Sequence, residues 1–268
     1  MTPHVQRWIT GGIAAPAVLA LTYFCSEALF SVVMVAIILV AASEYNALIF
    51  GKGFSREKGE VLCSALLLPL AAYLGGEKLL LAVLTLSVLI FSLASLLSVK
   101  TEEISLVPVS KVLFGLVYLP LMLSYFILLR MTENGVFWIF FILVLPISGD
   151  IAAFYFGRTL GKHKLYPRIS PAKTVEGAIG SMAGSVVAVV LYSSFVLTSL
   201  PILHALVLAI VGNCIAQLGD LFESMIKRAV GVKDSGRIMP GHGGILDRLD
   251  CLIFLVPFVY YYRIYWIP

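Results

Sequence analysis

Apolar runs of about bilayer length constrain this chain more than any other feature. A helix rising 1.5 Å per residue needs roughly 20 residues to cross the hydrocarbon core. Nine runs approach or reach that length: 8–24, 27–48, 61–76, 79–99, 111–129, 135–157, 177–199, 202–221 and 249–267. Lipid offers no water to backbone N–H and C=O groups, so each run must be helical. Composition agrees. Of the 268 residues, 60% are hydrophobic and 13% charged, against about 25% charged in soluble domains. The surplus apolar surface has to face lipid. The expected fold is all-α, a polytopic integral membrane protein with about nine transmembrane helices. The third run is short and holds Pro69, so a tilt or break is expected there.

Cations in the connections set the orientation. One face receives Arg7, Lys52, Arg56, Lys58, Lys100 and Lys111, then Arg158, Lys162, Lys164, Arg168 and Lys173, then Lys227, Arg228, Lys233, Arg237 and Arg248. The other receives Lys78, Arg130 and Arg263. The bias places the N-terminus in the cytoplasm and the C-terminus outside, across a plasma membrane. Trp138 and the terminal "YYYRIYW" then form an outer aromatic belt. Two parts are expected. Residues 1–130 carry about five helices as scaffold and lipid-facing part. Residues 131–268 carry about four, with long cytoplasmic loops 158–176 and 222–248. Gly180 and Gly184 form a GxxxG that permits close helix packing. The first run has no clear cleavage site, so no signal peptide is expected. Cys25, Cys63, Cys214 and Cys251 lie in or beside apolar runs without CxxC spacing, which argues against a disulfide or zinc framework.

Against this background, "KRAVGVKDSGRIMPGHGGILDRLD" (Lys227–Asp250) is anomalous: five basic residues, three aspartates, a histidine and five glycines in 24 positions. Asp150 in "LPISGDIAAFYFG" and Asp220 in "QLGDLFES" add acids at the same expected face. A carboxylate at membrane depth is costly and marks function by default, although an ion pair with Arg248 or Lys227 is the structural alternative. Asp247 and Asp250 are spaced i,i+3, and Asp220, Ser224 and Lys227 i,i+4,i+7, so each set shares a helix face. If the last two helices pack side by side, three carboxylates meet. Such oxygen ligands suit Mg²⁺, which is held by carboxylates plus substrate phosphates.

Lys227, Arg228, Lys233, Arg237 and Arg248 can grip phosphate, although topology alone also enriches such loops in cations. In "PGHGG", glycines flank His242 and let backbone N–H groups approach a ligand. In "RISPAKTVEG", Ser170 and Pro171 read as a helix N-cap and first position, which puts Lys173 in the first turn as an anion site. "GRTLGKH" fails as a Walker A motif in both length and its final residue. Glu44, near the end of the second run, is left as a polar cap.

The 227–250 stretch resembles the signature of phosphatidate cytidylyltransferases, also called CDP-diacylglycerol synthases. The matching positions are Ser224, Lys227-Arg228, Lys233-Asp234, Gly236, Pro240, His242-Gly243-Gly244, Asp247-Arg248 and Asp250. "SGDIAAFYFGRTLGKHKLYPRISPAKTVEG" and "GDLFES" are also similar, with departures at Ala172, Val175 and Met239. The likeness covers residues 145–255; the first half is similar only in hydropathy. It implies a multi-pass enzyme that makes CDP-diacylglycerol and pyrophosphate from CTP and phosphatidic acid, with Mg²⁺ and room for a second cation. On that reading Asp220, Asp247 and Asp250 hold metal, with Asp150 nearby. Lys227, Arg228, Lys233 and Arg248 hold phosphates. Ser224, Lys173, Asp234, His242, Gly243 and Gly244 support substrate.

Two alternatives stay open: a CTP-dependent lipid-alcohol kinase of the dolichol kinase type, and a transporter of anionic solutes. Membrane lipids are expected partners, a homo-oligomer is left open, and no basic stripe with interleaved aromatics points to nucleic acid.

Overall fold

The computed structural model describes residues 12, 16–99, 105–239 and 243–267. Helices dominate, as the apolar runs require. After a helical stretch at 16–24 come α1 (Glu27–Phe50), α2 (Ser55–Leu97), α3 (Val107–Leu116) and, through a π-helical turn at Val117–Leu121, α4 (Met122–Arg130). Then come α5 (Gly135–Leu160), strands β1 (Lys164–Tyr166) and β2 (Ser170–Thr174), and α6 (Val175–Phe195), α7 (Ile202–Ala229) and α8 (Leu246–Trp266). Among the described residues, six helical stretches are long and apolar enough to cross a membrane, the α3–α4 pair counting as one. Large apolar side chains such as Leu89, Ile90, Val187 and Leu203 point outward. Outward apolar surface at this density belongs to a membrane protein.

The chain divides into two units. The first comprises 1–131 and 234–247, the second 132–233 and 248–268. The polar segment 234–247 therefore belongs with the N-terminal helices, whereas the sequence places it with the C-terminal ones.

In the first unit, α1 packs on α2, and α2 on α3 and α4. Residues 44–46 of α1 face three ways, as successive residues 100° apart on a helix must. The Tyr45 hydroxyl donates to Lys111 O at 2.8 Å, and Asn46 Nδ2 donates to Lys58 O at 3.0 Å. Glu44 serves the segment described below. The break expected at Pro69 lies elsewhere. Pro69 sits inside α2, and the non-helical residues are Gly75 and Gly76. Gly76 has φ +62°, a conformation that side chains disfavour. The runs 61–76 and 79–99 are the two arms of this kinked helix.

In the second unit, α6 packs along α5 and α7. The Gly180–Gly184 seam is the contact with α5: a Cβ on Gly180 would stand 2.5 Å from Phe156 Cβ, and one on Gly184 would collide with Ala152. The helix start expected at Ser170–Pro171 is a strand instead. β2 pairs antiparallel with β1, Lys164 opposite Thr174 and Tyr166 opposite Ser170. The N-cap of α6 is Thr174, whose Oγ1 accepts from Gly177 N at 3.0 Å. Lys173 therefore rides on a strand, outside the helix's first turn.

Candidate active site

In the second unit a cavity of about 500 Å³ opens among α5, β2, α6, α7 and the early part of α8. Its walls include Asp150, Arg158, Lys173, Gln217, Asp220 and Cys251. Helices supply five of these residues and the β-hairpin supplies Lys173. Asp150 comes from the middle of α5. The β-hairpin holds Lys173 over the opening, where its Nζ meets Asp220 Oδ2 at 2.7 Å. The other oxygen of Asp220, Oδ1, accepts from Ser224 Oγ at a long 3.4 Å, one turn along α7.

Asp250 joins this group because α7 and α8 run backbone to backbone here. A Cβ on Gly219 would lie 2.6 Å from Asp250 O. Asp250 Oδ1 accepts from Cys251 N at 2.7 Å. The Asp220 carboxylate is close enough to repel both Asp150 and Asp250. Lys173 and Arg248 offset the charge at Asp150, and Lys227 and Arg248 offset it at Asp250. Asp150, Asp220 and Lys173 line the cavity, and Asp250, Lys227 and Arg248 act on this group electrostatically. The sequence reading groups Asp220 with Asp247 and Asp250; in this unit the acids beside Asp220 are Asp150 and Asp250, and Asp247 belongs to the other unit.

The donors are all oxygen, the set a hard divalent cation prefers. Among the described residues, no three His, Cys, Asp or Glu side chains are drawn to metal-ligand spacing. Asp220 is turned to Lys173 instead. The cavity's deeper wall is a polar ladder. Asn213 Nδ2 donates to Ser181 Oγ at 3.0 Å and Ser185 Oγ at 2.8 Å, and Gln217 Nε2 donates to Asn213 Oδ1 at 2.5 Å. Sequence reading gave these residues no role.

Lys227 is buried and paired with Glu223 across one turn of α7. Glu223 is fully buried and was not singled out from sequence; an acid four residues before a lysine on a helix was the available signal. Arg228 braces the hairpin and the following loop, donating to Ile169 O at 3.3 Å and Val232 O at 2.9 Å. Lys233, Asp234 and Arg248 are exposed. Pro240, Gly241 and His242, with Arg7 and Lys100, lie outside the described residues.

The first unit holds the other half of the signature, with Asp247 as its centre. This side chain is 8% exposed. Its Oδ2 accepts from Gly244 N at 2.8 Å, Ser235 N at 2.9 Å and Ser235 Oγ at 3.0 Å. Gly243 has φ +84°, and its carbonyl accepts from Met239 N at 2.9 Å, which closes a small loop. Asp247, read from sequence as a metal ligand, thus also clasps its own loop. Glu44 lies on the far side of Ser235. It is 5% exposed and accepts from Ser235 Oγ at 3.0 Å, Ile245 N at 3.0 Å and Leu246 N at 2.9 Å. Its polar-cap assignment from sequence missed the long-range partner, because nothing local to residue 44 points to residue 245.

Comparison with known proteins identifies the family. Residues 5–266 match the model of the cytidylyltransferase family. A phosphatidate cytidylyltransferase of Bacillus subtilis is 44% identical over 149 residues, which cover 54% of each chain. One from Staphylococcus haemolyticus is 40% identical over 167 residues, covering 62% of this chain and 64% of that one. One from Mycobacterium bovis is 39% identical over 145 residues, covering 54% and 47%. This chain therefore spans about half to two thirds of the curated relatives it matches. With the family model covering nearly the full sequence, the chain belongs to the cytidylyltransferase family.

Proposed function

We propose that this protein transfers the cytidylyl group of CTP to phosphatidic acid, giving CDP-diacylglycerol and pyrophosphate. The observation that carries the reading is Asp150, Asp220 and Lys173 in the wall of the 500 Å³ cavity, with Asp250 near enough to feel the Asp220 charge. Family membership and the names of the relatives agree with it.

A phosphate oxygen of phosphatidic acid forms a bond to the α-phosphorus of CTP. The bond from that phosphorus to the bridging oxygen breaks, and its electron pair leaves with pyrophosphate. The nucleophile is already ionised at neutral pH, so the protein needs no strong general base. Its task is to bring two polyanions together and hold them in line. Lys173, Lys227, Lys233, Arg228 and Arg248 are the cations for this work, with Ser224, Asp234, His242, Gly243 and Gly244 in support. Lys173 is poised to exchange Asp220 for a phosphate oxygen. Asp220 and Asp250, with Asp150, would hold Mg²⁺, with room for a second cation; Asp247 is a further metal ligand on its sequence position alone. The metal's contribution when bound is to neutralise phosphate charge.

We further read the two arms of α2, the other long helices, α8 and the N-terminal stretch as nine crossings of a plasma membrane. The cation-rich loops then face the cytoplasm, where CTP is dissolved and phosphatidic acid is anchored in the adjoining leaflet.

The test is turnover in detergent micelles with phosphatidic acid, Mg²⁺ and CTP labelled in turn on the α- and γ-phosphorus. Incorporation of α label into lipid with release of pyrophosphate is expected. Transfer of γ label to a lipid alcohol would identify a kinase, and no turnover with either acceptor would favour a transporter.

A further inference from the structure

We propose that Glu44 is a positioning residue for the reaction. It clamps the signature loop and sets where α8 begins, a role that rests on the function proposed above.

The first helical residue of α8 is Leu246, preceded by Ile245. Isoleucine has no side-chain acceptor and is a poor N-cap. The leading amides of a helix need acceptors from somewhere. Here both come from another helix. Glu44 Oε1 accepts from Ile245 N at 3.0 Å, and Oε2 accepts from Leu246 N at 2.9 Å. A carboxylate is also the favoured charge at a helix N-terminus. Ser235 Oγ stands 3.0 Å from both Glu44 Oε2 and Asp247 Oδ2, so its single proton is shared between the two carboxylates.

The surrounding backbone is shaped to this side chain. A Cβ on Gly236 or on Gly244 would collide with the Glu44 carboxylate. Two backbone amides and the shared Ser235 hydroxyl hold that carboxylate, so it cannot swing aside cheaply. Its base is rigid as well, because Tyr45 and Asn46 anchor the same turn of α1 to Lys111 and Lys58. The hydrogen bonds that Glu44 makes go to Ser235 and to the backbone of Ile245 and Leu246, so it acts through the residues beside them, Asp247 first.

The experiment uses the full chain in detergent. Glu44→Ala should raise hydrogen exchange at Ile245 and Leu246 at least tenfold. It should lower kcat at least tenfold while KM for CTP and for phosphatidic acid moves less than threefold. Glu44→Gln keeps one acceptor oxygen of two, and Glu44→Asp keeps both on a shorter arm, so each should recover part of the lost kcat. Gly244→Ala should reproduce the defect, and Glu44→Ala in that background should add nothing further. Unchanged exchange overturns the clamp. Raised exchange with unchanged kcat overturns the role in the reaction, as does a loss confined to KM. If the wild-type chain turns over neither substrate, the functional reading falls and the catalytic half of this proposal with it, while the exchange data still uphold or overturn the clamp.

Discussion

Lys173 Nζ and Asp220 Oδ2 stand 2.7 Å apart across the mouth of a cavity, with 28% and 32% of the two side chains exposed. A pair this accessible contributes little to stability, about 1 kcal/mol at most. Its place beside Asp150 and Asp250 is what gives it weight.

Lys173→Met and Asp220→Asn should each lower kcat/KM by about a hundredfold or more, the scale for losing one preorganised electrostatic contact. Residues that act as a unit are not additive, so the double variant should lose little beyond the worse single one. Steady-state kinetics on the four proteins decide this, with unfolding midpoints as the control. Additive losses would separate the two residues.

Asp247 and Asp250 should respond differently to the same change. Asp250→Asn should abolish turnover with the unfolding midpoint nearly unchanged. Asp247→Asn should abolish turnover and also destabilise: the amide oxygen can still accept from Ser235 N and Gly244 N, but the charge that strengthens those hydrogen bonds is lost. Hydrogen bonds to charged groups contribute about 1.5–3 kcal/mol, against about 1 for neutral ones. Thermal unfolding in detergent, followed by circular dichroism, separates the two. Equal midpoints would reject the clasp.

Lys233 is exposed at the end of the second unit's loop. Lys233→Ala should raise the apparent KM of at least one phosphate-bearing substrate several-fold without changing the unfolding midpoint. Titration of CTP at saturating phosphatidic acid, and the reverse, measures it. Unchanged KM for both removes Lys233 from the site.

Gly149 reports on the polar ladder. A Cβ there would stand 2.7 Å from Ser181 Oγ and 2.8 Å from both Asn213 Nδ2 and Ser185 Oγ. Gly149→Ala should destabilise by about 1–3 kcal/mol, the usual penalty for overpacking. A midpoint equal to wild type would show that the ladder can spread to accept a methyl group.

Much of this molecule is legible in the sequence because lipid leaves few choices. Apolar length and the need to satisfy backbone groups locate the helices to within a few residues. The errors fall where side-chain chemistry overrides hydropathy. α7 continues to Ala229, well past the apolar run ending at 221, because Glu223 and Lys227 neutralise each other inside the helix. The hairpin of Lys164–Tyr166 and Ser170–Thr174 escaped notice because three- and five-residue strands offer no alternation to read. Helical spacing relates Asp247 to Asp250 and Asp220 to Ser224 and Lys227, but bringing Asp220 to Asp250 needs the two helices to pack side by side, which spacing alone does not give. The Glu44 contacts could not follow either, since they join residues 201 and 202 positions apart.

That separation orders biosynthesis. Glu44 leaves the ribosome early, on a helix bound for lipid, and its three donors Ser235, Ile245 and Leu246 are made only near the end of the chain. Until then a carboxylate waits without its donors, on a helix where a charged group is costly. The part of the protein that is translated first is therefore the part that is completed last.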